Sequence, residues 1–243
     1  HFVEQLEQEG ELKRIQEFCS PQLEITEIAD RCVKNNGPAL LFENNGTDFP
    51  LLINTFGTLK RTCIALGHKN LEDITHEIEA LFKHITTPHT TLFDKIKLLP
   101  TLHQISKWMP KYSHSKGACQ EVIHHTPNLN ILPVLTCWPH DGGPFITLPL
   151  VHTFDPETKS PNCGMYRIQI FSENTTGVHW HKHKGGAAHF QKYKELGMRM
   201  PVSIVLGGDP VYTYAATAPL PENINEYILA GFLRKKAVTL VKS

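Results

Sequence analysis

The residues of this chain best equipped for chemistry crowd into its last third. In Thr176-Gly-Val-His-Trp-His-Lys-His-Lys-Gly-Gly186 three histidines alternate with other residues. On a strand, His179, His181 and His183 would share one face at ~6.6–6.8 Å steps. Alternate imidazoles on a strand can share a zinc ion, so one reading of the chain is a zinc hydrolase; the plainer reading is a half-exposed polar strand. Gly185-Gly186 then leads into Ala187–Leu196, an amphipathic pattern closed by Gly197. Glycines at a helix N-terminus expose N–H groups where the dipole favours an anion, and Lys182 and Lys184 add positive charge. Histidines, lysines and an amide nest together favour a metal-bridged phosphate over a lone zinc. Upstream, Tyr166–Phe171 reads as a strand with Arg167, Gln169 and Phe171 on one face. An arginine so placed either snorkels to solvent or binds a carboxylate or phosphate. Asn162 offers an amide oxygen. Glu226, in Pro221-Glu-Asn-Ile-Asn-Glu-Tyr227, offers a carboxylate from a helix.

These residues need elements to hold them. Tyr166–Phe171 and Val202–Leu206 are apolar, β-rich runs punctuated by Pro and Gly, as are Val122-Ile123, Ile131–Leu135 and Phe145–Val151. They suggest a barrel or sandwich over the second half. The first half alternates helix and strand. Phe2–Glu9 reads as a helix stopped by Gly10, and Glu11–Ile15 as a strand. Ile25, Ile28, Ala29, Cys32 and Val33 form a helical stripe ended by Asn35-Asn-Gly37. Ala39–Phe42 and Leu51–Ile53 read as strands. A helix capped at Asn70 carries the apolar face Leu71, Ile74, Ile78, Leu81, Phe82 and Ile85, with Lys83 and His84 near its end. Between the halves, Trp108–Gly117 has the look of a linker.

Composition bounds the function. The chain has 243 residues, 24 basic and 24 acidic, so there is no basic excess of the kind a nucleic-acid binder shows. No apolar run approaches the ~20 residues of a membrane span, and the start at His1 shows no signal pattern. The six cysteines have no zinc-knuckle or redox spacing, which suits buried free thiols in a reducing compartment. The 15 histidines are the unusual number.

A set of longer phrases closely resembles the UbiD family of prenylated-FMN-dependent decarboxylases. They are Gly10-Glu-Leu-Lys-Arg14, Leu23-Glu-Ile-Thr-Glu-Ile-Ala-Asp-Arg31, Gly37-Pro-Ala-Leu-Leu-Phe-Glu-Asn44, Thr136-Cys-Trp-Pro139, Asn162-Cys-Gly-Met-Tyr-Arg167 and Asn223-Ile-Asn-Glu-Tyr-Ile-Leu-Ala-Gly231. The resemblance runs the length of the chain. It implies an α+β protein, with an N-terminal α/β domain over residues 1–112. A flavin-reductase-like split β-barrel that binds the cofactor follows over 113–243. It implies that Asn162, His183 and Glu226 hold Mn²⁺ or Mg²⁺, with K⁺ nearby, and that the metal grips the cofactor phosphate. It assigns contacts with prenylated FMN to Met165, Tyr166, Arg167, His179, Trp180, His181, Lys184 and Gly185. Lys184 and His179 stand where some members have Arg, which changes the phosphate contacts.

The implied reaction is non-oxidative decarboxylation of an aromatic acid, with 4-hydroxy-3-polyprenylbenzoate of ubiquinone or menaquinone biosynthesis as the expected substrate. Arg167 would orient the substrate carboxylate. The implied setting is a cytoplasmic homo-oligomer, at most peripheral to a membrane, supplied with cofactor by a flavin prenyltransferase. In the family, the acidic partners of the catalytic Arg, including the proton donor, lie beyond the phrase containing Glu226. The expectation is therefore a C-terminally truncated chain with an incomplete barrel, retaining metal and part of the cofactor pocket but inactive alone. A non-catalytic flavin-binding module is the second alternative.

Overall fold

The computed structural model describes residues 2–86, 100, 102–220 and 224–243. The first half builds a three-stranded sheet from β1 (Leu12–Ile15), β2 (Ala39–Phe42) and β3 (Leu51–Ile53), in that spatial order. β1 and β2 are parallel and β2 and β3 antiparallel. The crossover from β1 to β2 is α2 (Glu24–Lys34). Its stripe buries Ile25 and Ala29, while Val33, expected on the same face, is 49% exposed. Paired charges Glu27–Arg31 and Asp30–Lys34 line the outside at i,i+4 spacing. Every residue of β2 is buried, which its unbroken apolar sequence Ala-Leu-Leu-Phe requires of a central strand. α1 (Phe2–Gln8) and α3 (Leu59–Leu66) pack beside this sheet, and the Thr58 hydroxyl caps α3. Arg61 of α3, only 1% exposed, reaches Glu11 at 2.9 Å.

The second half carries three small sheets. One pairs β6 (Leu150–Phe154) with β7 (Pro161–Met165) and with β10 (Ser203–Val205), all antiparallel. A second pairs β8 (Ile168–Ser172) with β5 (Phe145–Ile146) and β9 (Thr175–Val178). The third joins β4 (Lys111–Ser113) to β11 (Thr239–Val241) in parallel. The class is mixed α+β. Several expected strands change shape. Val122 and Ile123 lie in an exposed loop, residues 129–131 are a 3₁₀ turn, and of the expected run 131–135 Leu135 makes an isolated bridge to Phe145. The expected run 145–151 breaks at Leu148-Pro149, because proline donates no ladder hydrogen bond. β7, which carries Asn162, was hidden by its Pro, Asn, Cys and Gly content.

Helices α4 (Leu71–Thr86), α5 (Gly185–Glu195), α6 (Pro210–Ala215) and α7 (Glu226–Arg234) complete the described elements used below. The side chains of Leu81, Phe82, Lys83, His84 and Ile85, expected on α4, lie outside the described residues, as do Pro221–Asn223. The largest core draws on both halves, uniting Leu66 and Ile74 with Trp108, Leu150, Val211, Ala230, Phe232 and Val238. The segment read as a linker is built into this core. Trp108 is 4% exposed with its ring edge-on to Phe232 at 5.1 Å, and β4 pairs with β11. Gly231 makes that packing possible, since a Cβ there would collide with the Trp108 carbonyl. Arg234 ties the halves further through Asp209 and the Ala65 carbonyl.

All six cysteines are free thiols, but only Cys19 and Cys163 are buried. Among the described residues no helix is long and apolar enough to cross a membrane.

Candidate metal and cofactor site

β7, the N-terminal end of α5, the segment after α6 and the start of α7 enclose a cavity of about 770 Å³. Asn162, Cys163 and Gly164 come from β7, and Lys182, His183, Lys184 and Gly185 from the turn into α5. Glu226 is the first residue of α7, whose start is set by the Asn225 side chain accepting from the Tyr227 N–H at 2.9 Å. Glu226 is brought beside Asn162 because the N–H of the next residue, Cys163, donates to Glu226 Oε2 at 2.9 Å across 63 positions of chain. The three residues expected to hold a metal thus line one cavity.

The donor set suits a hard divalent cation: an amide oxygen, a carboxylate and one imidazole. Two structural details bear on the match. A Cβ on Gly185 would fall on Asn162 Oδ1, so only glycine allows the helix end to approach that oxygen. Glu226 is half-buried, and burial raises its carboxyl above the ordinary range, partly offset by the Cys163 N–H. A cation beside it would supply the opposite charge that burial leaves missing. His183 is exposed on the turn, as are Lys182, Lys184 and Gly185.

Met165, Arg167, His179, Trp180 and His181, also expected at the site, form a second group that does not line this cavity. The β8–β9 hairpin aligns Ile168 with Val178, and the His179 N–H donates to the Arg167 carbonyl at 3.2 Å, so the two stretches lie side by side. Met165 ends β7, and Arg167 rests its guanidinium over the Phe145 ring at 4.5 Å. Arg167 is exposed and lies between β7 and β8, off the strand face it was expected to share with Gln169 and Phe171. Tyr166 connects the groups. Its ring meets Trp180 at 4.9 Å, while its hydroxyl lines the cavity side and accepts from the Gly186 N–H at 2.8 Å. Burial raises the Tyr166 hydroxyl pKa, and the hydrogen bonds from Gly186 and Asn162 oppose that rise.

Two expectations need correction. The strand ends at Val178, so His179, His181 and His183 do not alternate along one face. His181 and His183 rings are 6.2 Å apart and tilted, and among the described residues no group of three or more His, Cys, Asp or Glu is placed to hold a metal. The amide nest is also largely occupied. The Gly186 N–H goes to Tyr166, and those of Ala187 and Ala188 go to the Lys184 carbonyl. Nor is all the local positive charge free, since Lys192 is bound by Asp155 at 2.7 Å and Glu157 at 3.2 Å.

Residues that sequence reasoning passed over include Thr153, Asp155 and His189. His189 and Tyr193 sit on the buried stripe of α5 that begins at Gly186, a spacing of three and four that the helical pattern did contain. Burial holds His189 below the ordinary imidazole range, with Asp155 opposing and Lys192 adding to the effect. Behind the cavity, His152 Nε2 meets the Tyr227 hydroxyl at 2.7 Å. Burial and the Glu226 charge push the Cys163 thiol up to about 12, so it is no nucleophile near neutrality.

Comparison with known proteins adds to this geometry. Residues 3–81 match the 3-octaprenyl-4-hydroxybenzoate carboxy-lyase N-terminal domain, and residues 111–243 match the Rift-related domain of the same carboxy-lyase, named UbiD. An uncharacterised protein of Aquifex aeolicus is 45% identical over 99% of this chain, and one of Archaeoglobus fulgidus is 43% identical over 99%. The chain spans about half the length of these relatives, 50% and 49%. Among solved structures, vanillic acid decarboxylase of Sedimentibacter hydroxybenzoicus in its closed form superposes with a TM-score of 0.80 at 27% identity, over 100% of this chain and 49% of that one. The UbiD-class enzyme HmfF of Pelotomaculum thermopropionicum, in complex with prFMN, gives 0.81 at 22% identity over 100% and 52%, a likeness of fold.

Proposed function

The chain belongs to the UbiD carboxy-lyase family, and we propose that it forms the metal- and prenylated-FMN-binding half of an aromatic-acid decarboxylase. The observation that carries this reading is the convergence of Asn162, His183 and Glu226 on one cavity beside Lys182, Lys184 and the close approach at Gly185. In this proposal Asn162 Oδ1, a Glu226 oxygen and the His183 imidazole hold Mn²⁺ or Mg²⁺, with K⁺ nearby. The Cys163 N–H keeps Glu226 Oε2 in place. Lys184 and Gly185 meet the cofactor phosphate at the α5 end. Tyr166 and Trp180, packed edge to face, give the flavin a rigid wall, and Met165, His179 and His181 complete its contacts. When bound, prenylated FMN supplies the electron sink for the charge left as CO₂ departs. Arg167, braced on Phe145, would orient the substrate carboxylate.

We assign the small second-half sheets to part of a split barrel and the domain boundary to residues 112–113. An aromatic acid is the substrate class. The matched family's own name makes a polyprenylated 4-hydroxybenzoate the first compound to try, ahead of vanillate and 3,4-dihydroxybenzoate. The partners proposed are a flavin prenyltransferase and further copies of the chain. A zinc hydrolase is not favoured, because the strand ends before the three histidines.

The test is co-expression with a flavin prenyltransferase, followed by elemental analysis for manganese and absorbance and mass of the bound flavin. We expect both in the wild-type protein, and loss of both in Asn162→Ala and Glu226→Ala with circular dichroism unchanged. Folded wild-type protein carrying neither would overturn the proposal. CO₂ release from the three acids then orders the substrates.

A further inference from the structure

Only one end of Asn162 can ligate a cation. Its carbonyl oxygen accepts, whereas its NH₂ group presents hydrogens that a cation repels. The neighbours decide which end faces the metal position. Thr153 of β6 lies directly opposite Asn162 in the β6–β7 register and is wholly buried. Its Oγ1 stands 3.5 Å from Asn162 Nδ2, the outer limit of a hydrogen bond. The same hydroxyl is 2.9 Å from His189 Nδ1, and His189 is itself 9% exposed.

A threonine hydroxyl has one proton to give and lone pairs with which to accept. With that proton directed to His189 Nδ1, the oxygen is left as an acceptor toward Asn162. The amide nitrogen is drawn to Thr153, and Oδ1 turns to the Gly185 side, where it lies. Replacing the hydroxyl by a methyl group removes this acceptor and leaves the Tyr166 hydroxyl alone to hold the amide in its orientation. The imidazole matters for the same reason, since without its lone pair the hydroxyl proton competes for Asn162 Oδ1.

We propose that the buried Thr153–His189 pair is a positioning device that fixes the Asn162 amide with its oxygen toward the metal. The inference rests on the reading of Asn162 as a ligand. It concerns Thr153, which does not line the cavity, and His189, which lines it but is given no contact with metal or cofactor in that reading. Partners of this outer kind commonly alter metal affinity by about 10–100-fold.

The experiment titrates Mn²⁺ into the intact protein and follows free Mn²⁺ by electron paramagnetic resonance, with thermal midpoints as the check on folding. Thr153→Val should weaken Mn²⁺ binding by about tenfold or more, while Thr153→Ser, which keeps the hydroxyl, should stay within about twofold of wild type. His189→Leu should weaken binding in the same direction, which keeps the test informative if Thr153→Val does not fold. Wild-type affinity in Thr153→Val or in His189→Leu, alongside lost affinity in Asn162→Ala, would overturn the positioning role alone. Wild-type affinity in Asn162→Ala would overturn both that role and the ligand assignment beneath it.

Discussion

At the residue scale, the site depends on atoms whose orientation is decided by contacts rather than by residue type. Gly185 is the sharpest case. Its exposed position at the start of α5 looks tolerant of alanine, which even favours helix by about 1 kcal/mol over glycine. The added Cβ would nevertheless displace Asn162 Oδ1. We therefore expect Gly185→Ala to weaken Mn²⁺ and flavin retention by about tenfold with little change in thermal midpoint. Equal retention in the variant would show that Asn162 Oδ1 is not used. The histidine run illustrates the opposite error. Alternation in sequence implied a common face, but the face exists only while the strand lasts, and β9 stops at Val178. The residue scale was thus partly legible: Asn162, His183 and Glu226 were nameable, while Thr153 and His189 were not. Nothing in a His–Thr–Phe or Ala–His–Phe neighbourhood signals a hydrogen bond across 36 positions.

At the scale of elements, the β6–β7 turn is latched to the last turn of α5. Asp155 accepts from Lys192 Nζ at 2.7 Å and from the N–H groups of Glu157 and Thr158 at 2.9 and 3.0 Å. The Lys192 hydrogen bond, followed by that of Thr158, holds the Asp155 carboxyl well below the usual carboxylate range. A carboxyl depressed on folding stabilises the protein above its unfolded pKa, and that contribution is lost as pH falls through the folded one. The thermal midpoint should accordingly decline on acidification below the ordinary carboxylate value of about 4. Asp155→Asn should show a flatter acid limb in the same titration of midpoint against pH. Identical limbs would mean the latch adds nothing. α1, α2, α4 and α5, with their periodic stripes, were readable from sequence, whereas α3 and α6 were not. β7 was not, since Pro, Asn, Cys and Gly have little strand propensity and tertiary pairing with β6 overrides them.

On the scale of the whole molecule, the two halves share a core rather than meeting at a linker. Ile74 of α4 is 5% exposed and belongs to the same cluster as Trp108, Val211 and Phe232. Truncating it should therefore be felt far from the first-half sheet. Ile74→Ala is expected to cost about 2–5 kcal/mol, the range for a buried isoleucine. In urea, tryptophan fluorescence and far-ultraviolet circular dichroism should move together to a lower midpoint. Separate transitions by the two probes would argue that the halves unfold independently. Trp108 was read as part of a spacer because Met-Pro-Lys-Tyr-Ser around it is polar and proline-marked. Its burial depends on Gly231, more than a hundred positions away.

By itself the sequence determined the local rules. Apolar periodicity set α2 and α4, unbroken Ala-Leu-Leu-Phe made β2 a central strand, glycines marked the start of α5, and extended phrases identified the family. Those features depend on neighbours within a few residues, where geometry follows directly from composition. The tertiary structure alone decided that Asn162, His183 and Glu226 face one cavity, that Arg167 leans on Phe145, and that Thr153 and His189 stand behind the Asn162 amide. Each of those outcomes is a contact between distant segments, and its distance is set by how sheets and helices pack. A side chain's type states what it can bind; only packing decides which of its atoms is presented.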